Sequence, residues 1–134
     1  MPLVRIDVLR GRTEEQLQAV SAAVHRALVE TMNVPERDRF RVLTEHDMGR
    51  LIFDPGYLGV ERTGGIVVVQ VFLSKGRSTA QKQAFYARAQ ALLTAEAGVR
   101  PGDVTLTLTE STREDWSFGD GVAQYLALPK EQWK

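Results

Sequence analysis

Shifted by 65 residues, this sequence lies on top of itself: Gly11–Glu45 aligns with Gly76–Glu110 without a gap. Identical pairs include Gly11/Gly76, Arg12/Arg77, Gln16/Gln81, Gln18/Gln83, Ala19/Ala84, Ala22/Ala87 and Leu28/Leu93. They continue through Val34/Val99, Asp38/Asp103, Leu43/Leu108, Thr44/Thr109 and Glu45/Glu110. The local chemistry keeps the same register. Thr13 with Gln16, and Ser78 with Gln81, each spell a capping box: the hydroxyl accepts from a backbone N–H of the first helical turn, and the Gln side chain reaches back to the cap. Two equivalent caps on top of the identities mark a duplication, so the chain has to fold as two copies of one unit.

Each copy reads strand, helix, strand. In Leu3–Leu9, Val4, Ile6 and Val8 alternate with Leu3, Arg5, Asp7 and Leu9, the pattern of a half-buried strand. Leu17, Val20, Val24, Leu28 and Met32 then recur at spacings of three and four, an amphipathic helix over residues 14–32. Arg39–Thr44 is the second strand. In the second copy Ile66–Leu73 is almost wholly apolar and β-branched, which predicts a central strand covered on both faces. A helix over Thr79–Ala97 ends at Gly98, and Val104–Thr109 alternates apolar residues with Thr. Residues 49–65, with Asp54-Pro55-Gly56 and Gly64-Gly65, read as turns and loop. A β-α-β crossover makes its two strands parallel and puts the helix on one face. The expected fold is therefore α+β: duplicated β-α-β units form a four-stranded sheet with two helices on the same side. The opposite face should be bare and apolar, which predicts burial against other subunits.

At 134 residues the chain has the size of one domain. It is read as a single domain over residues 1–134, with repeat units at about 2–45 and 66–110 and a C-terminal segment at 111–134. Lys plus Arg number 17 and Asp plus Glu number 17, so no basic excess exists to neutralise a nucleic acid or an anionic membrane. The absence of cysteine excludes disulfides and thiol chemistry. Two histidines, His25 and His46, make a histidine-rich metal site an unpromising reading, and neither is given a role. Arg5, Asp7 and Arg10 interrupt the first ten residues, so no signal peptide is expected, and no stretch reaches the ~20 apolar residues of a membrane span. The expectation is a cytoplasmic protein with neither nucleic-acid nor membrane partners.

P-loop, Rossmann-glycine and nucleophile-elbow patterns are absent from the sequence. Position singles out Pro2 instead. Removal of Met1 would leave a secondary amine at the start of a strand, able to act as a base, an acid or an iminium-forming nucleophile once burial or nearby cations lower its pKa. A retained Met1 would turn that amine into an amide. Ser74-Lys75-Gly76-Arg77-Ser78 sets two cations before a helix N-terminus, which already favours anions. Arg77 can grip a carboxylate bidentately, with Lys75 as a second point charge. If the two units pair through antiparallel strands, the start of the first strand comes near the end of the third, bringing Pro2 towards Lys75 and Arg77. Asp38 and its counterpart Asp103 each precede a strand. Either is a turn former, or Asp38 is a carboxylate that hydrogen-bonds the prolyl amine or a water. Asp115-Trp116-Ser117-Phe118-Gly119, followed by Tyr125, supplies aromatic bulk outside the repeat, either as packing over a sheet edge or as the wall of a pocket.

Met1-Pro2-Leu3, the duplicated unit and the Arg77 turn resemble the tautomerase superfamily. Val34-Pro35-Glu36-Arg37-Asp38-Arg39, Lys75-Gly76-Arg77-Ser78 and the Trp-Ser-Phe-Gly stretch resemble its malonate semialdehyde decarboxylase branch most closely. The likeness runs from Pro2 to about Leu126. It implies Pro2 as the catalytic amine, Asp38 as the carboxylate that assists it and Arg77 as a substrate-binding and catalytic arginine. It also implies Trp116, Phe118 and Tyr125 as a hydrophobic wall, a homotrimer, and no metal or organic cofactor. Two positions depart from the pattern. Lys75 stands where the branch has a further arginine, and Tyr125 where it has Phe. The reaction implied is decarboxylation of malonate semialdehyde or a similar small 3-oxo acid. The alternatives are keto–enol tautomerisation, hydration of unsaturated or halogenated acids on the same site, and a non-catalytic trimer that binds small anions.

Overall fold

The structure, a computed structural model, describes residues 2–129 and Gln132. In chain order the elements are β1 (Leu3–Leu9), α1 (Glu14–Thr31), β2 (Arg41–His46), β3 (Val67–Ser74), α2 (Thr79–Ala97), β4 (Val104–Ser111) and a short α3 (Gln124–Ala127). Single 3-10 turns occupy Tyr57–Gly59, Pro101–Asp103 and Arg113–Asp115. Both predicted capping boxes form. Thr13 Oγ1 accepts from the Gln16 amide at 3.2 Å while the Gln16 side chain accepts from the Thr13 amide at 2.8 Å. Ser78 and Gln81 repeat the exchange at 3.1 and 3.0 Å. Each cap contributes about 1 kcal/mol. The preceding glycines, Gly11 at φ +138° and Gly76 at φ +131°, take the same backbone angle, one that a side chain would strain.

The sheet order is β2-β1-β3-β4. β1 and β2 are parallel, as are β3 and β4, and the two copies join along an antiparallel β1–β3 seam with Leu3 opposite Phe72 and Arg5 opposite Gln70. This is the mixed sheet expected from two β-α-β units. The helices cover one face. Val4, Ile6 and Val8 of β1 and Val67, Val69, Val71 and Leu73 of β3 are buried against Leu17, Val20, Val24, Leu28, Phe85 and Leu93. Each such side chain contributes about 1.5–3 kcal/mol by leaving water.

Three expectations need correction. The open face of the sheet is mixed rather than apolar, because alternation sends Arg5, Asp7, His46 and Gln70 to the same side as Val42, Val68 and Phe72. Asp7 and His46 meet there at 2.6 Å. β3 is fully covered only on its helix side, while Val68, Gln70 and Phe72 are half-buried. The second strand starts at Arg41 rather than Arg39. A turn closed by the Asp38 amide on the Pro35 carbonyl (3.0 Å) occupies the chain up to that point, and the Val4 amide then bonds the Phe40 carbonyl at 2.9 Å.

Candidate active site

The β1–β3 seam decides where the site lies. Leu3 pairs with Phe72, so Pro2, one residue earlier and itself buried, sits at the level of Leu73 and Ser74, where β3 ends. On the other side of β1, the Val4–Phe40 bond brings in the segment that carries Asp38. The sheet therefore gathers the start of β1, the approach to β2 and the end of β3 at one end.

Asp38 is 8% exposed. Burial disfavours its charge and pushes its pKa up to about 6 from an ordinary value of 3.8, while the Arg77 charge pulls the other way. Arg77 reaches back from the β3–α2 turn. Its Nε donates to the Met32 carbonyl at the C-terminal end of α1 (3.0 Å), and its Nη1 to the Ser74 carbonyl (3.1 Å). The α1 dipole favours a cation at that end. Arg77 Nη2 is buried and has no hydrogen-bond partner among the described residues, and the same holds for Ser74 Oγ. Burial first, and then the neighbouring charge of Arg113, lower the pKa of Arg77, which still leaves it a cation at neutral pH. A guanidinium fixed at two nitrogens with the third unpaired is built to take an anion.

The C-terminal segment closes over this end. Trp116 Nε1 donates to Ser111 Oγ (2.8 Å), which donates to the Leu73 carbonyl (3.2 Å), tying the indole to the end of β3. Trp116 and Phe118 stack at 5.6 Å and 5°, Phe118 meets Tyr125 edge-on at 5.4 Å and 86°, and Phe40 packs on Phe118 at 5.6 Å. Tyr125 is 8% exposed. Burial and the charge of Asp38 push its pKa up to about 12, so its hydroxyl keeps its proton as a donor. No group of three or more His, Asp or Glu side chains suited to a metal occurs among the described residues.

Two family profiles, both described as "Tautomerase enzyme", match residues 38–119 and residues 2–60. "Probable tautomerase YusQ" of Bacillus subtilis (strain 168) is 40% identical over 126 residues, covering 94% of this chain and 99% of that protein. The chain belongs to the tautomerase family. Among solved structures, FG41 malonate semialdehyde decarboxylase inhibited by 3-bromopropiolate is similar at 42% identity and TM-score 0.88, over 93% of this chain and 95% of the other. A malonate semialdehyde decarboxylase described as having decarboxylase and hydratase activities is similar at 34% identity and TM-score 0.88, over 93% and 96%. A fused 4-OT solved as a symmetric trimer, 22% identical with TM-score 0.76 over 93% and 98%, shares the fold.

Of the candidate residues in the sequence of this tautomerase-family chain, the structure gathers Pro2, Asp38, Arg77, Trp116, Phe118 and Tyr125 at one end of the sheet. Lys75 stands apart. Its side chain is exposed, and it borders a hollow of about 220 Å³ with Ser111, Thr112 and Arg113. Its charge, like that of Arg77, acts on Glu110, which is ion-paired to Lys82 at 2.8 Å. Three contributors escaped the sequence reading. Arg113 has no equivalent within the duplicated segments and becomes visible only because its turn returns to Arg77. Ser74 lies in the basic turn that drew notice, and Phe40 could have been found as the aromatic two residues after Asp38.

Proposed function

We propose that this tautomerase-family enzyme decarboxylates malonate semialdehyde or a similar small 3-oxo acid, with the amino-terminal Pro2 amine as its working group. The unpaired, buried Nη2 of Arg77 beside the Asp38 carboxyl carries this reading, because it is a carboxylate receptor next to the strand that begins at Pro2. Met1 lies outside the described residues, and the proposal requires its removal. The Pro2 nitrogen then attacks the aldehyde carbon, and loss of water forms an iminium. The bond between carbon 2 and the carboxylate breaks, its electron pair forms an enamine, and carbon dioxide leaves. Protonation at carbon and hydrolysis release acetaldehyde and restore the amine. A protonated Pro2 that polarises the carbonyl gives the same products without the covalent bond. Arg77 holds the carboxylate so that the breaking bond aligns with the electron sink, and Lys75, exposed and outside the gathered residues, adds positive charge at longer range. Trp116, Phe118 and Tyr125 form the wall that excludes water from the departing carboxylate. Asp38 accepts a proton from the Pro2 ammonium or from water.

Keto–enol tautomerisation is the second reading, favoured by the relative called a probable tautomerase. It uses the same proline as a base, and hydration with Asp38 activating water draws on the same groups. A homotrimer that covers the open, mixed face of the sheet completes the proposal. Malonate semialdehyde turnover and phenylenolpyruvate ketonisation, measured side by side with Pro2→Ala as control, test it. Decarboxylation lost in that variant and trapping of Pro2 by borohydride support the iminium route. Decarboxylation untouched by Pro2→Ala defeats the proposal.

A further inference from the structure

Away from the Pro2 end, a hollow of about 260 Å³ opens between the outer edge of β2 and α1, lined by Gln18, Ser21, Arg39, Arg41 and Leu43. We propose that this hollow is a second anion site, which binds a small oxyanion of the phosphate type. Arg41 extends from β2 to α1, where its Nε donates to Ser21 Oγ at 2.6 Å, so the guanidinium is held in place before any ligand arrives. Its Nη1 is buried without a hydrogen-bond partner among the described residues. A buried donor left in that state costs stability, a cost that an incoming oxygen offsets.

The charge balance of the hollow is one-sided. Neither Arg39 nor Arg41 forms an ion pair among the described residues, and no carboxylate lines the hollow. Four arginines elsewhere are paired: Arg10 with Asp47, Arg26 and Arg88 with Glu30, and Arg100 with Glu61. His25, on the next turn of α1, senses the same field. Its pKa is lowered by burial, and the charges of Arg41 and Arg39 add to that against its bond to the Glu36 carbonyl and the Glu36 charge. Gln18 Nε2 already donates to Glu14 Oε1 at 3.0 Å, so the donors left for a ligand are the two guanidinium groups, the Ser21 hydroxyl hydrogen and the second Gln18 amide hydrogen, a set that suits an oxyanion with three or four acceptor oxygens better than one carboxylate. None of these residues belongs to the proposed decarboxylation machinery. Arg39 nevertheless follows Asp38 directly, and Phe40 touches Phe118, so an occupant would bear on the segment that carries Asp38.

Calorimetric titration of the full chain in its native assembly with inorganic phosphate, and in a second arm with glycerol phosphate, tests this site. Saturable phosphate binding is expected in the wild type and in Arg77→Met, weakened at least tenfold in Arg41→Met. Arg39→Met, a change at an exposed position, should weaken it in the same direction and covers the case in which Arg41→Met fails to fold. Tighter binding of glycerol phosphate than of phosphate would assign the site to a phosphomonoester, and the reverse to the free ion. Both support the proposal. Binding lost in Arg77→Met but kept in both Arg39→Met and Arg41→Met overturns it. So does a wild type that binds neither ligand while Arg41→Met changes the sedimentation coefficient, since a neighbouring copy would then fill the hollow.

Discussion

Arg77 and Asp38 at one end of the β1–β3 seam recur as Arg12 and Asp103 at the other, and the two ends treat them differently. Arg12 Nη2 donates to the Gly65 carbonyl at 2.6 Å, and burial lowers its pKa against the pull of Asp103. Asp103, 1% exposed, accepts from the Thr63 amide and hydroxyl, each at 2.6 Å, with Arg100 at 3.6 Å. At that end the chain entering β3 through residues 63–65 supplies the partners. At the Pro2 end Arg77 keeps a buried nitrogen unpaired, and Asp38 sits under enough desolvation to carry a pKa of about 6. The same pair of residue types is a structural clasp where the backbone fills the space, and is left with an unpaired donor where it does not.

Paired substitutions at the two ends test that contrast. The largest effect is expected at the strand starts. Pro2→Ala should cut malonate semialdehyde kcat/KM by about a hundredfold or more. Val67→Ala, at the equivalent position in the core, should leave kcat/KM near wild type and cost about 1–3 kcal/mol in denaturant unfolding. The arginines come next. Arg77→Met should lower kcat/KM by about tenfold to a hundredfold, whereas Arg12→Met should leave it within a few-fold and cost about 1 kcal/mol of stability. Equal losses of activity in the two variants would erase the distinction between the ends.

The carboxylates should differ in sign. Asp38 binds its proton more tightly folded than unfolded, so the wild type loses stability as pH rises from about 4 to about 6. Asp38→Asn should be more stable than wild type above that window by about 1 kcal/mol, a figure discounted for the water the carboxyl still meets, and the gain should vanish at pH 4. Asp103→Asn should destabilise at neutral pH by about 1–3 kcal/mol, through loss of charge-assisted bonds in a buried place. If the ionised form of Asp38 assists Pro2, the wild-type rate rises through about pH 6 and the Asn variant lacks that limb. The smallest effect belongs to Tyr125→Phe, which keeps the wall and removes one hydroxyl, and should change kcat/KM by less than about tenfold.

Much of the fold was legible in the sequence because duplication doubles each local signal. One capping box is a weak mark, but Thr13/Gln16 and Ser78/Gln81 in register, each preceded by a glycine at positive φ, placed both helices within a residue of where they lie. The antiparallel seam then followed from fusing two like units, and with it the approach of Pro2 to the turn of Lys75 and Arg77; of these two cations only Arg77 turns inward, and Asp38 was placed with them by family resemblance alone. The open face departs from an apolar expectation because the apolar run of β3 does not extend to its neighbour: alternation along β1 puts Arg5 and Asp7 there. Arg113 and the reach of Arg77 to Met32 were illegible for another reason. Both depend on how a turn outside the repeat, or a long side chain, travels through space, and periodicity carries no record of that. Family resemblance located the aromatic wall, but only the structure shows that Phe40 extends it.

The central claim is that the Pro2 end becomes a site because its strand opens on a free amine. Malonate semialdehyde turnover is to be compared between protein whose intact mass shows a chain starting at Pro2 and the same protein carrying one extra amino-terminal residue. The account predicts turnover in the first and its loss in the second, with unchanged thermal stability. Equal turnover in both would contradict it.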